Sequence, residues 1–231
     1  MGTTLYLIFL LFVLLGLCTL NFGSVESMIS TTAIDCVAVF APYLANVVCC
    51  PQLEATLLIL IGQSSKQTKM LALNGTLSKH CLSDVEQILV GQGANDSLQQ
   101  ICSIRSSNLT EGSCPVKDVN EFENAVDSSN LLDACGKIDL VTECCEQVCQ
   151  NAILEAAKKL ALKAYDLMGV DGRHPLSDQS TRVSDCKSIV LRWLASKLDP
   201  SHAKKVLRGL SNCNINKGKP GMVMWVFIHY S

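Results

Sequence analysis

The chain has 231 residues, of which 48% are apolar and 17% are charged, and its formal net charge is −2. This length fits one large domain or two small ones, and the apolar share excludes a disordered chain. The nearly neutral charge gives no reason to expect a nucleic acid as partner.

The N-terminal segment predicts export from the cell. Residues 5–20 are almost entirely apolar, and small and polar residues follow, among them Ser24 and Ser27. This order is typical of a secretory signal peptide. We predict a signal peptide over residues 1–27, with cleavage after Ser24 or Ser27 and loss of Cys18. An uncleaved membrane anchor is the weaker alternative, because the run is shorter than the ~20 apolar residues that span a bilayer.

The cysteines beyond the predicted signal peptide indicate a disulfide framework. An even, high count in an exported chain is typical of paired cysteines, and their connectivity stays open. Cys144, Cys145 and Cys149 fall on one predicted helix, which would carry up to three bridges. Zinc is the weaker alternative, because no C-x-x-C pair occurs. The disulfide candidates are Cys36, Cys49, Cys50, Cys81, Cys102, Cys114, Cys135, Cys144, Cys145, Cys149, Cys186 and Cys213.

Three N-glycosylation sequons also indicate that the chain is exported from the cell. They begin at Asn74, Asn95 and Asn108, and none has a proline in the middle position. We predict a glycan at each of these asparagines. Since a glycan cannot be buried, residues 74–110 should lie on the surface.

Helical spacing of apolar residues marks the first half of the domain. We predict a bent helix over residues 35–48 and a short buried helix over residues 54–63. A capping box that begins at Ser83 predicts a helix ending near Gly91 or Gly93. Residues 95–115 are polar and rich in serine, which predicts a long loop.

The second half contains the clearest helical pattern. Residues 142–168 form one predicted amphipathic helix, and a cap at Asn120 predicts another upstream. A loop should follow, then a helix over residues 185–198 and a last helix from Pro200 to about Gly209. Aromatic residues are too few for a β-sandwich. The fold class predicted is therefore all-α, a disulfide-rich extracellular domain with long loops.

Catalytic signatures are absent from the sequence. None of the four histidines, His80, His174, His202 and His229, lies in a metalloprotease motif, and no serine-hydrolase or dinucleotide motif occurs. His80 precedes Cys81, but adjacent side chains rarely face each other productively. We predict no enzyme, no cofactor and no metal site. Charge is uneven, with a net of −6 over residues 1–130 and +4 over residues 131–231, which we interpret as solvated helix faces rather than a polyanion site.

The paired cysteines and their neighbours resemble a known family. The motifs are Cys36, Cys49-Cys50-Pro51-Gln52-Leu53, Cys81, Cys135, Glu143-Cys144-Cys145-Glu146-Gln147-Val148-Cys149 and Ser184-Asp185-Cys186. Over residues 30–213 they closely resemble the plant SPARK domain, a cysteine-rich extracellular module, which we place at residues 28–213. The resemblance implies a non-enzymatic domain like that of GPI-anchored plant proteins and of some receptor-like kinase ectodomains. It supplies no catalytic residues.

The C-terminal tail departs from that family. Residues 214–231 lack its further cysteines, and the last apolar run, residues 222–228, is shorter than the ~10–20 residues of an anchor tail. Gly218-Lys219 is what translation through a splice donor would give. We therefore expect a truncated form without the family's anchor, so that membrane association would occur only in full-length relatives.

Two function classes follow. The first is a secreted or cell-surface plant glycoprotein that recognises an unknown extracellular protein or glycan, in the apoplast or, for full-length relatives, on the outer face of the plasma membrane. The alternative is a secreted small-ligand carrier of the lipid-transfer kind. The carrier is weaker, because its C-x-C element is missing.

Overall fold

The computed structural model describes residues 18–136, 138–168 and 176–215. The helices in chain order are α1 Glu26–Asp35, α2 Ala41–Leu44, α3 Cys50–Thr68, α4 Gly75–Gly91, α5 Leu98–Ile101, α6 Val119–Ala125, α7 Ser128–Gly136, α8 Leu140–Glu146, α9 Val148–Met168, α10 Leu176–Lys197 and α11 Pro200–Ile215. Within these residues, extended pairing is limited to the isolated bridges Val37–Ala94 and Met70–Asp118. The all-α prediction is confirmed.

Helix α3 lies at the centre of the fold because it is apolar on several sides. Every residue from 57 to 61 is exposed by 8% or less, and the helix packs against α1, α10 and α11. The predicted buried helix is confirmed and is longer than expected. By length and composition the helical stretch Ala41–Thr68 would be able to cross a membrane, yet 56% of its most apolar window is buried inside the protein. That burial is the pattern of a core helix.

The buried apolar side chains form two clusters, and helices α10 and α11 contribute to both. One cluster includes α1, α3 and α4, and the other includes α6, α7, α9 and α10. The rings of Phe122 and Trp193 stack in the second cluster, with centroids 4.7 Å apart. Ala195, two residues further along α10, belongs to the first cluster. Helix α11 also contributes to both clusters, with Leu207 in the first and Val206 in the second, so α10 and α11 together connect the two parts of the core.

Helices α3 and α10 approach each other closely at Gly62. A Cβ atom at this position would lie 2.5 Å from the backbone oxygen of Arg192 and 2.8 Å from Cβ of Ala195. A side chain would force the helices apart, because well-packed interiors leave no slack for an added methyl group. Glycine at this position therefore sets the separation of the two helices.

Six disulfides connect the described residues and confirm the disulfide framework. Their pairs are Cys18–Cys81, Cys36–Cys49, Cys50–Cys102, Cys114–Cys186, Cys135–Cys149 and Cys144–Cys213. Four of them join cysteines more than 50 positions apart, so they connect segments that are distant in the chain. Such long closures restrict the unfolded chain most strongly.

Two cysteines depart from the predictions. Cys18 lies in the predicted signal peptide, whereas in the structure its sulfur is bonded to Cys81 in α4. Cys145 is one of the predicted disulfide cysteines, whereas in the structure its thiol is free and exposed. The stretch that contains Cys145 also differs from the prediction, because the predicted helix over residues 142–168 is broken at Gln147, which has a φ of 57° and separates α8 from α9. The helix that was predicted to carry three bridges therefore does not form as one piece.

Several helix boundaries also differ from those predicted. Helix α4 begins well before Ser83, because Oδ1 of Asn74 accepts hydrogen bonds from the backbone N–H groups of the first turn. Asp118, rather than Asn120, caps α6 by accepting from the N–H of Glu121. Both true caps have an acceptor side chain and the β-region backbone of an N-cap residue.

The remaining boundary differences concern loops that prove to be partly helical. The predicted loop over residues 95–115 contains α5 and the 3₁₀ turn Ser106–Leu109. Helix α10 begins at Leu176, inside the loop predicted before residue 185, and α11 begins at Pro200 as predicted but extends to Ile215. The predictions for residues 1–17 and 216–231, and those for His174 and His229, fall outside the described residues.

Candidate functional site

Five apolar side chains are exposed along one short stretch of helical turns. Their exposed fractions run from 42% to 85%; they are Val39, Phe40, Tyr43, Leu44 and Val47. Spacings of three and four residues place them on one side of the turns, whereas Ala41, Ala45 and Cys49, with the same spacing, are buried. We call these five residues the 39–47 surface.

The chain around the 39–47 surface is held by covalent and backbone contacts. The Cys36–Cys49 disulfide links the two ends of the segment. The Cys50–Cys102 disulfide joins the residue after this segment to the loop that follows α5. The backbone N–H of Ala38 donates to the oxygen of Gly93, and that of Asn95 donates to the oxygen of Cys36. The exposed side chains are therefore presented on a preorganised backbone, which lowers the entropy lost on binding.

The chemistry of the 39–47 surface is apolar and aromatic. Residues 36–53 contain no charged side chain, and Tyr43, the most exposed member, is 85% accessible. Together the five side chains expose on the order of 500 Å² of largely apolar area, comparable with the ~300–600 Å² of the largest patch on a typical monomer, which is often functional. Sequence reasoning missed this surface, because apolar residues occur on both sides of the helical turns and their pattern does not show which side is buried.

A cavity of about 200 Å³ lies between α3, α10 and the loop that follows α5. Its lining mixes apolar and polar residues: Glu54, Leu57, Leu58, Ile61, Cys102, Ser103, Ile104, Asn108, Ser188 and Arg192. Pockets that enclose drug-sized ligands usually hold ~300–1,000 Å³. This cavity is smaller than such pockets.

Arg192 is a fully buried cation beside that cavity. Its guanidinium donates to the backbone oxygens of Leu71, Thr110 and Asn108, at 2.8, 3.0 and 2.6 Å, while its Nε has no partner. Burial lowers the pKa of Arg192 to about 10, and Glu111 and Asp185 partly offset that shift. The guanidinium remains charged at neutral pH and joins α10 to two loops. Its contacts are those of a structural cross-link.

The thiol, metal and histidine candidates lack the required chemistry in the described residues. Cys81 is fully buried in a disulfide, so His80 has no thiol beside it to activate. The sulfurs of Cys49, Cys50 and Cys102 lie within 4.8 Å of one another. Each of the three belongs to a disulfide, and metals bind thiolates rather than disulfides.

The three sequon asparagines lie where their side chains reach solvent. Asn74 and Asn108 are exposed, and Asn95 is half-buried. Oδ1 of Asn74 caps α4, and Oδ1 of Asn108 accepts from the N–H of Arg105. Nδ2 of Asn95 donates to the oxygen of Ala38, one residue before the 39–47 surface. A glycan at Asn95 would therefore border that surface.

Comparison with known proteins places the chain in a family. The SPARK family model matches residues 14–187. An uncharacterised GPI-anchored protein of Arabidopsis thaliana is 60% identical over 205 residues, which cover 89% of this chain and 46% of that relative. The chain thus spans about half the length of the curated relative it matches, and no solved structure matches it. The family model covers most of the chain, including both double-cysteine motifs, and the chain belongs to the SPARK family.

Proposed function

We propose that this chain is a non-enzymatic recognition glycoprotein of the plant cell surface or apoplast, and that its 39–47 surface binds an extracellular protein. The surface itself carries the proposal. Exposed apolar side chains lower solubility, so a rigid patch that contains Phe40 and Tyr43 needs a compensating use. The similarity to a GPI-anchored protein supports a location outside the plasma membrane.

A protein suits the 39–47 surface better than a glycan does. Aromatic side chains in rigid, uncharged surroundings are typical centres of protein–protein interfaces. Among the polar side chains near the surface, the Tyr43 hydroxyl and the exposed Asn46 offer few groups to a sugar. Polysaccharides with acidic groups would need cations, and residues 36–53 have none.

The carrier remains the second candidate, and it has a direct test. A secreted lipid carrier must enclose an acyl chain, whereas the cavity beside Arg192 holds about 200 Å³. We expect fluorescent fatty acids and lysolipids to show no saturable binding to the purified protein. Saturable binding that is displaced by unlabelled lipid would favour the carrier over recognition.

The recognition proposal is tested by competition at the cell surface. Labelled, secreted protein should bind plant protoplasts saturably, and unlabelled protein should compete. The double variant Phe40→Ser/Tyr43→Ser should compete at least tenfold more weakly, because aromatic anchors contribute most of the affinity of an interface. Leu162→Ser is the matched control, since Leu162 is an apolar residue of α9 that is 53% exposed. Thermal denaturation should show all three proteins equally stable.

Treatments of the cells identify the class of partner. Mild protease treatment of the protoplasts should abolish binding if the partner is a protein. Loss of binding after glycosidase alone, retention on protein-free vesicles, or concentration-dependent dimerisation of the pure chain would each contradict a protein partner at this surface. Equal competition by the double variant would exclude the 39–47 surface itself.

A further inference from the structure

Residues 18–27, predicted to leave with the signal peptide, are built into the folded domain. Cys18 is bonded to Cys81, and its backbone N–H donates to Oδ2 of Asp84 at 3.1 Å. The N–H of Asn21 donates to the hydroxyl of Ser64 in α3. This segment is therefore joined to both α3 and α4.

Apolar side chains of the same segment belong to the core. Leu20 is 7% exposed and Val25 is 1% exposed, and both pack in the cluster formed by α1, α3 and α4. Asn21 is the N-cap of the 3₁₀ turn Phe22–Val25, and this turn leads directly into α1. Removal of residues 18–27 would leave one side of α3 without its cover.

Cleavage at either predicted position would place a new charge on a residue that is buried in the intact fold. A cut after Ser24 would place the new α-ammonium group on Val25, and a cut after Ser27 would place it on Met28, which is 2% exposed. A buried ammonium group without a partner is strongly unfavourable. The second cut would also remove the first residues of α1, Glu26–Asp35.

The cysteine pairing also indicates that Cys18 belongs to the folded domain. Cys81 is fully buried, and its partner is Cys18. If Cys18 left the chain, Cys81 would be a buried thiol without a partner, in addition to the free thiol of Cys145. With Cys18 retained, the 13 cysteines form six bridges and leave one exposed thiol.

We propose that signal peptidase cuts this chain N-terminal to Cys18, at the bond between Gly16 and Leu17, so that Cys18 stays in the mature domain. Water adds across that amide, giving a carboxylate on Gly16 of the released peptide and an α-ammonium group on Leu17. Gly16 supplies a small residue directly before the scissile bond, whereas Leu14 occupies the position two residues earlier, where the A-x-A-like pattern has a second small residue. The apolar run over residues 5–15 has the ~7–15 residues typical of a signal-peptide core.

The inference rests on export, which is part of the proposed function, and one experiment separates the two. The full chain is expressed in plant cells, and the N-terminus of the secreted protein is determined by sequencing and intact mass. Leu17 is the expected first residue, and a first residue of Cys18 also supports retention. Secreted protein that begins at Thr19 or later overturns the inference and leaves export intact. A chain that still begins at Met1 overturns the cleavage, and its recovery from the cytosol would overturn export too.

A pair of cysteine variants gives a second readout. Non-reducing peptide mapping of the secreted wild type should recover a linked peptide that contains Cys18 and Cys81. Cys18→Ser should add one thiol that is alkylated after denaturation, at Cys81, whereas the control Cys145→Ser should remove one. If residues 18–27 are cleaved, Cys18→Ser will match the wild type in thiol count and secretion, and the proposal fails. If Cys18→Ser is not secreted, the wild-type peptide map decides, and absence of the linked peptide that contains Cys18 and Cys81 overturns the proposal.

Discussion

Arg192 donates a hydrogen bond of 2.6 Å from Nη2 to the backbone oxygen of Asn108, across more than 80 positions of the chain. Nη1 of the same guanidinium bonds the oxygens of Leu71 and Thr110. One buried side chain thus holds the loop that carries a sequon and the segment that precedes α4. A buried cation is an unusual cross-link, because its own desolvation opposes the fold.

Replacement of Arg192 by methionine should destabilise the domain. We expect Arg192→Met to lower the free energy of unfolding by ~2–4 kcal/mol, since each buried carbonyl left without a donor costs ~1–3 kcal/mol and the removed charge offsets part of that. Lys187→Met, on the exposed side of α10, should change stability by no more than ~0.5 kcal/mol. Denaturant titration of the secreted proteins measures both. Equal stability of the two variants would show that the guanidinium does not hold the loop.

Glycine at position 62 should be essential to the contact between α3 and α10. Gly62→Ala places Cβ against the backbone of Arg192, and we expect a loss of ~1–3 kcal/mol, which is typical of overpacking in a core. Gly91→Ala, at the end of α4, meets no atom within 4 Å and should be neutral or slightly stabilising. Thermal denaturation compares the two. A Gly62→Ala variant as stable as Gly91→Ala would mean that the helices separate without cost.

The sequence predicted the class of fold because its signals are local. The apolar residues of the helix predicted over residues 185–198 recur at helical spacing, and Cys186, Ile189, Val190, Trp193 and Leu194 are each at most 1% exposed. Arg192 was missed, because a basic residue in an amphipathic pattern is normally expected on the solvent side. Its burial depends on carbonyl groups from loops far along the chain, which no local pattern shows.

Local sequence patterns could not predict the disulfide connectivity or the candidate surface either. The pairing of Cys18 with Cys81 depends on how the N-terminal segment packs on α3 and α4. The positive φ of Gln147 interrupts a stretch that otherwise has uniform helical spacing, so no local pattern indicates the break. The paired-cysteine motifs did predict the family, because their spacing is specific.

Cys145 should react as the single free thiol of the native protein. We expect a maleimide to label the folded, unreduced wild type at about one site per chain, since Cys145 is exposed and the other 12 cysteines are bonded. Cys145→Ser should abolish the labelling and leave the melting temperature unchanged. Intact-mass analysis after labelling measures the number of adducts. Two or more adducts on folded wild type would contradict the six bridges.

Glycosylation at Asn74 can be separated from its role as a helix cap. We expect Thr76→Ala to remove the glycan, because the sequon needs the hydroxyl residue, while Oδ1 of Asn74 continues to cap α4. Asn74→Gln should remove both and cost a further ~1 kcal/mol of stability. Gel mobility before and after peptide N-glycosidase treatment, together with urea denaturation of the deglycosylated proteins, measures the two effects. An unchanged mobility of Thr76→Ala relative to the wild type would show that Asn74 is not occupied.

Glu123 should give the domain a small stability that depends on pH. Its carboxylate accepts from Nζ of Lys197 at 2.7 Å and from Nε1 of Trp193 at 3.1 Å, and the hydrogen bond from Lys197 is the main reason why the pKa of Glu123 lies below its usual value. A carboxyl whose pKa is lowered on folding contributes stability above its unfolded pKa, and this contribution is lost as the pH falls through the lowered folded pKa. We expect Glu123→Gln to be less stable than the wild type at pH 7 by no more than ~1 kcal/mol, because the pair is partly exposed. Urea denaturation at pH 7 and pH 3 should show the difference shrinking at the lower pH. A difference that is equal at both pH values would mean that the neutral hydrogen bond to Trp193, rather than the charge on Glu123, supplies the stability.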